Sequence, residues 1–418
     1  MKEQQEYIFR FIDGSEALAL ELETELTKRP AISPESGGRG ELDKALFLEA
    51  WLKNKGITHL ERHDAPDQRA KGGVRPNLVA TIPGKTDSPR LWIMSHLDVV
   101  PPGELSLWAS DPWTVIQKDG LLIGRGVEDN QQGLTSSVLA ALALIGRGIT
   151  PPHTVKLLFA ADEESGSDYG VVWLLKNRGL FGKDDMVLIP DSGDAQGETI
   201  EIAEKNLLWM KFTVNGVQTH GSRPDQGANA HLAGSALALA LHYGLSEAFP
   251  ARDPLFEQPH YSTFEPTKRE ANVPNINTIP GEDVLYMDMR ILPCYPLEDV
   301  LAEIDRIKAE TAAKHRVTIT SAVSQAVQSR ATPEDAPLVG LLKCAVEEVY
   351  RVKARTLGIG GGTVAAPLRN AGISAAVWCR IEHTAHQPNE YAAMRHILGD
   401  AKVMALLMLA ERAPHHAH

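Results

Sequence analysis

The sequence predicts an α/β protein, a mostly parallel sheet flanked by helices, with an inserted α+β sandwich. Short apolar runs alternate with helical segments in the first half. The texture changes near residue 205, and αβ alternation resumes after about 326. At 418 residues the chain exceeds the roughly 250–300 at which single cores stop growing, so two domains are expected. We expect a discontinuous first domain, 1–205 plus 326–418, with a second domain, 206–325, inserted in it.

The elements follow in order. Residues 3–28 and 41–55 carry helix-favouring side chains with apolar positions at helical spacing, and Gly56 supplies a stop. Apolar runs at 77–82, 91–94, 155–160 and 186–189 read as buried strands. Helices are expected at 131–145 and 169–177, and Asp119-Gly120 predicts a hairpin appended to the sheet. In the insert, 207–214, 284–292 and 317–323 read as strands, with helices at 229–242 and 297–313. A turn-rich stretch, 324–337, leads back to a helix at 338–350, a glycine cluster at 358–362, a strand at 373–378 and a final helix from about 390 to 411.

Composition narrows the function. Hydrophobic residues are 43% and charged residues 23%, a soluble globular mix. The net charge of −12 argues against nucleic acid or an anionic membrane as the main partner. The start shows no secretory pattern and the apolar run 138–145 is too short to span a bilayer, so a cytoplasmic protein is expected. Cys294, Cys344 and Cys379 match no zinc spacing and no disulfide framework. The 15 histidines are in excess, but His415, His416 and His418 read as a tail and are set aside.

Ligands of open parallel sheets bind beyond the carboxyl ends of the strands. Those positions hold His96 and Asp98 in SHLD, Glu163 and Glu164 in ADEESGS, and Asp191 in PDSG. Asp129 lies in the loop GRGVEDNQQG, and His383 and His386 in the loop EHTAHQPNE. Each alone is ordinary: an aspartate after a strand commonly caps a helix or forms a turn. Together they point to a metal site. His96 and Asp98 are two apart, so both can face one side of a strand end, with Asp98 the natural partner for the second imidazole nitrogen. Adjacent Glu163 and Glu164 point different ways, so one can bind metal while the other takes a proton from water. Asp129, Glu164 and Asp191 carry three negative charges, which two divalent ions and one hydroxide balance. Imidazole and carboxylate donors without thiolate suit zinc, with cobalt or manganese as alternatives.

The segments SHLDVVPPG, GRGVEDNQQG, ADEESGS, VPNINTIPG and H-x-x-N-E together resemble the dinuclear zinc metallopeptidases. That family includes glutamate carboxypeptidase, acetylornithine deacetylase, succinyl-diaminopimelate desuccinylase and aminoacylase. The resemblance runs from about residue 20 to 410 and is closest to the deacetylase/desuccinylase-like branch. It implies that His96 and Asp191 bind one zinc, His386 and Glu164 the other, and that Asp129 bridges both. Glu163 would be the general base for a bridging water. The inserted domain would form a homodimer, with His220 reaching a neighbouring active site to hold the oxyanion. Asn277 and Arg290 match positions that contact substrate, and Gly361-Gly362-Thr363 match a substrate-pocket segment, although Val364 stands where the family often has Asp. Asp191 is Glu in deacetylase- and carboxypeptidase-like members and Asp in several aminopeptidases and dipeptidases. The expected activity is therefore hydrolysis of an amide bond in a small peptide or an N-acyl amino acid. The alternatives are a dipeptidase, aminopeptidase or carboxypeptidase and, remotely, a non-catalytic metal-binding scaffold. A nucleotide module on Gly358–Thr363 is disfavoured, because the segment lacks both the third fingerprint glycine and the P-loop lysine.

Overall fold

The computed structural model describes residues 2–257 and 259–411; the three histidines of the tail lie outside the described residues. The chain forms two compact units. One comprises the described residues up to Ile202, Thr332–Thr356 and those from Pro367 onward; the other comprises Ala203–Ala331 and Leu357–Ala366.

The first unit opens with helices α1 (Lys2–Asp13) and α2 (Glu16–Thr27), interrupted at Gly14-Ser15 where one helix was expected, then α3 (Leu42–Asn54). Strands β1 (Leu60–Pro66), β2 (Val74–Ile82) and β3 (Thr86–His96) follow, then the short pair β4 (Ile116–Lys118) and β5 (Leu121–Ile123). Next come α4 (Gly133–Gly146), β6 (His153–Ala160), α5 (Val171–Asn177), β7 (Met186–Asp194) and β8 (Thr199–Glu204). Helix α4, GLTSSVLAALALIG, is buried from Gly133 to Leu144. A helix with so little polar surface belongs inside a core.

The inserted segment supplies β9 (Asn206–Asn215), β10 (Thr219–His220), α6 (Ala230–Ala248), β11 (Thr263–Arg269), β12 (Thr278–Ile279), β13 (Glu282–Ile291), α7 (Leu297–His315) and β14 (Thr318–Val327). The return carries α8 (Pro337–Tyr350), β15 (Arg355–Ile359), α9 (Ala365–Asn370), β16 (Ser374–Arg380), β17 (Tyr391–Ala393) and α10 (Met394–Leu409).

The large sheet has the order β1-β2-β6-β3-β7-β16-β8-β15. Its centre, β6-β3-β7-β16, is parallel. Strands β1 and β2 on one side and β8 on the other join antiparallel. The α/β class therefore holds, and the four central parallel strands are those that feed the candidate site.

Two expectations need correction. The Asp119-Gly120 hairpin is not appended to this sheet: β4 and β5 pair with β17 in a separate three-stranded sheet. The final helix accordingly starts at Met394, because 391–393 are held extended by β5. A three-residue strand has too little alternation to announce its partner.

In the second unit β11-β13-β9-β14 form an antiparallel sheet. Alternation in β9 sends Leu208, Met210, Phe212 and Val214 into a core with Leu237, Leu241 and Leu245 of α6 and Val300, Ile304 and Ile307 of α7. Each such buried side chain contributes roughly 1.5–3 kcal/mol. Trp209 and Lys211 point to the other face.

Candidate metal centre

The parallel strands position the site. Strand β3 ends on His96, β6 runs into Glu163 and Glu164, and β16 leads into the loop of His386. Asp191 lies inside β7, where five residues, from Ile189 to Gly193, pass opposite three of β16, from Val377 to Cys379. The surplus residues bulge out of the ladder and re-aim Asp191. Asp129 sits in the turn before α4. There Gly126 has φ of +84°, and a Cβ on it would meet Val99 Cγ1 at 2.6 Å. A Cβ on Gly133 would lie 2.4 Å from the Pro190 carbonyl oxygen, so only glycine lets α4 start against the residue before Asp191. The Asn130 amide closes this corner with 2.6 Å hydrogen bonds to the Pro190 carbonyl and Asp191 Oδ1.

The two oxygens of Asp129 face two imidazoles. Oδ1 lies 2.8 Å from His96 Nε2 and Oδ2 lies 3.2 Å from His386 Nε2. Asp191 Oδ1 is 3.4 Å from His96 Nε2, and Glu164 Oε2 is 3.0 Å from His386 Nε2. Ligand atoms of His96, Glu163 and Asp191 lie within 4.8 Å of one another, as do those of His96, Asp129 and Glu164. Donors about 2.1 Å from a tetrahedral cation are roughly 3.4 Å apart. These nitrogens and oxygens are thus spaced as a shared cation would space them. Glu163 faces the His96–Asp191 side, whereas Glu164 reaches His386. His383 is exposed and outside the cluster.

The electrostatics agree. Burial tends to lower the basicity of His96, but hydrogen bonds to Asp129, Asp191 and Asp98 hold its pKa well above the usual imidazole range. Hydrogen bonds to Asp129 and Glu164 push His386 up to about 10. Burial opposes ionisation of Asp129, but the same two imidazoles outweigh it and keep its pKa below the normal value. Burial, then the Asp191 charge, pushes the Glu163 carboxyl well above the usual range. Burial also raises Glu164, against its hydrogen bond to His386. So many carboxylates around two imidazoles make a locus that only cations or bound protons neutralise. The donor set fits divalent metal.

Asp98 stands beside the second imidazole nitrogen of His96, as expected, and has another role as well. His96 Nδ1 donates to the Asp98 backbone carbonyl at 3.0 Å, while the carboxylate is 3.6 Å away. The carboxylate also accepts the backbone N–H groups of Glu163 and Glu164, each at 3.0 Å, and so orients the Glu-Glu turn.

The residues expected at substrate lie in the second unit. His220 is exposed, pairs across β10–β12 with Thr278, and its Nδ1 is 2.8 Å from Ser222 Oγ. Asn277 is exposed, and its carbonyl accepts from Gly221 N at 2.7 Å. Arg290 forms a two-point pair with Asp288, at 2.7 and 3.0 Å, and donates to the Gly360 carbonyl at 3.0 Å. Thr363 donates its backbone N–H and its hydroxyl to Glu204, beside Gly361 and Gly362.

The sequence reading passed over a further set of buried groups. Glu390 accepts from Arg125 Nη1 at 2.6 Å and from the N–H groups of Gly126, Glu128 and Asp129 at 3.0–3.1 Å. Burial pushes its carboxyl up to about 7, against the pull of Arg125. Glu128 accepts from the N–H groups of Glu382, Thr384 and Ala385. Glu390 stood in the H-x-x-N-E segment, which was the one available signal.

Comparison with known proteins now decides the family. Residues 92–410 match peptidase family M20/M25/M40. The chain belongs to this family. It is 39% identical over 404 residues to an uncharacterized metallohydrolase of Methanocaldococcus jannaschii, covering 92% of this chain and 97% of that one. It is 30% identical to a succinyl-diaminopimelate desuccinylase of Methylobacterium nodulans, over 88% and 90% of the two chains. Among solved structures, a dipeptidase of Saccharomyces cerevisiae superimposes with a TM-score of 0.74 at 17% identity, over 98% of each chain, which supports the fold. The family consists of metal-dependent hydrolases of peptide or amide bonds. No helix among the described residues is long and apolar enough to cross a membrane.

Proposed function

We propose that this M20 metallohydrolase cleaves an amide bond of a small peptide or an N-acyl amino acid, using two divalent ions, zinc by donor type, held by His96, Asp129, Glu164, Asp191 and His386. The observation that carries the reading is Asp129, whose two oxygens face His96 at 2.8 Å and His386 at 3.2 Å, each imidazole backed by its own carboxylate. When bound, the ion pair supplies Lewis acidity and a water acidified toward neutrality. Glu163 then takes the proton of the attacking water and passes it to the leaving amine. Its carboxylate lies beside His96 and Asp191, within reach of a water held there. Asp98 keeps Glu163 and Glu164 in their divergent orientations through their backbone N–H groups.

His220 is assigned to the oxyanion, contributed by a second copy of the chain. Arg290, Asn277 and the Gly361-Gly362-Thr363 segment are assigned to the substrate carboxylate and its surroundings. Residues 206–325 serve as the dimerisation domain. Leu232, Leu239 and Tyr243, exposed on one face of α6, support that assignment. The setting is cytoplasmic. Desuccinylase relatives at 30% identity favour N-acyl amino acids as substrates. The structural likeness to a dipeptidase shows the fold alone.

The test is turnover of metal-stripped and Zn²⁺-loaded protein against N-acetyl and N-succinyl amino acids, dipeptides and C-terminal amino-acid amides. Metal-dependent hydrolysis of one class is expected. Full activity of the stripped protein, or no hydrolysis by the loaded one, overturns the reading.

A further inference from the structure

The turn carrying Asp129 and the loop carrying His386 hold each other's backbone. From the His386 side, Glu390 takes three amides of the Asp129 turn, Gly126 at 3.1 Å, Glu128 at 3.0 Å and Asp129 at 3.1 Å. From the Asp129 side, Glu128 takes Glu382 N at 2.6 Å, Ala385 N at 2.8 Å, Thr384 N and the Thr384 hydroxyl at 2.9 Å. Both carboxylates are buried, Glu390 at 0% and Glu128 at 4% exposure. Hydrogen bonds from amides to a carboxylate are about twice as strong as neutral ones. Two buried carboxylates exchanged in this way lock the loops as one piece.

The His386 loop needs such a lock. His383, His386 and Asn389 have φ of 58°, 64° and 60°, in the left-handed region that non-glycine residues rarely occupy. Such residues cost on the order of 1–3 kcal/mol each and persist only where the surroundings over-determine them. The loop is otherwise lightly covered: His386 keeps 55% of its side chain exposed. The other imidazole is held differently. His96 ends a central strand and is 3% exposed, so the sheet itself places it.

We propose that Glu128 is a positioning residue for the cation on the His386 side. It sets the loop so that His386 meets Asp129 and Glu164, and it leaves the cation on the His96 side untouched. The inference rests on the two-ion reading above. It divides the pair into a sheet-built site and a loop-built site, and assigns the second to one buried carboxylate.

The variant is Glu128→Gln, which keeps the shape but turns an amide toward one of the backbone donors. Metal-stripped protein is titrated with Zn²⁺ by calorimetry, with folding checked by circular dichroism. Wild type is expected to show two binding steps. Glu128→Gln should weaken one step 10–100-fold, the usual effect of removing a group that orients a ligand, and leave the other unchanged. His386→Ala identifies the step, since it should abolish the same one. If Glu128→Gln does not fold, Thr384→Val removes one contact to Glu128 and should weaken that step severalfold. Two unchanged steps in the folded variant, or equal weakening of both, overturn the inference. Fewer than two steps in wild type overturn the two-ion reading instead.

Discussion

Arg75→Met tests the buried scaffold behind the Glu-Glu turn. Arg75 is 0% exposed, and its guanidinium serves three buried carboxylates. Nε donates to the two oxygens of Glu41 at 3.0 and 2.8 Å, Nη2 lies 3.1 Å from Asp162 Oδ1, and Nη1 lies 3.7 Å from Asp67 Oδ2. Asp162 immediately precedes Glu163. Methionine fills much of the volume but leaves these carboxylates without their cation. Removing one partner of a buried pair costs about 3–5 kcal/mol. At roughly 2–4 °C per kcal/mol for domains of 150–250 residues, and less for larger ones, the melting temperature should fall on the order of 6–10 °C at pH 8. The fall should shrink at pH 5.5. Burial already outweighs the Arg75 hydrogen bond and lifts Glu41 to about 7, from an ordinary 4.5. A carboxyl raised in the folded state loses stability as pH rises through that value, and removing Arg75 raises it further. At pH 5.5 Glu41 is then protonated in the variant and the uncompensated charge is gone. Thermal melts of metal-free protein at both pH values measure this, since bound metal would shift the transition by itself. Adding Glu41→Gln should restore part of the loss at pH 8. A fall under 2 °C at both pH values refutes the reasoning.

Two other outcomes follow from the same structure. Glu163→Gln removes none of the five proposed ligands, so it should retain its metal content, and it should lose 10²–10⁴-fold in kcat as a general base does; kcat within tenfold of wild type at full metal loading removes Glu163 from that role. His396 is fully buried, and burial followed by the charges of Arg380 and Arg395 lowers its pKa to about 3. It stays neutral in the fold and protonates on unfolding below about 6.5, so stability falls as pH drops from 6.5, by about 2 kcal/mol at pH 5. His396→Gln should flatten the decline in melting temperature between pH 7 and pH 5, and an unchanged slope counts against it.

What the sequence disclosed, and what it hid, has a physical division. The strand pattern 91–94, 155–160, 186–189 and 373–378 marked all four parallel strands, and the strand-end rule then pointed at His96, Glu163, Glu164 and Asp191. That rule works because parallel strands bring the next residues of every strand to one edge, so proximity follows from topology alone. The bulge in β7 shows its limit: Asp191 gets its aim from surplus residues that an apolar run does not encode. Strands β1, β8 and β11 were missed because they lack an apolar run of their own. Glu61, Arg62, His63 and Asp64 fill β1, and Glu265, Lys268 and Arg269 lie in β11. The hidden part of the centre, Glu128, Glu390 and the second role of Asp98, shares one cause. Each binds backbone amides, which every residue but proline offers, so no side-chain partner stands at a telling spacing. Metal ligands are legible because metals demand particular side chains. The groups that hold the ligand loops in place draw mostly on backbone N–H donors, and for them the fold had to be seen first.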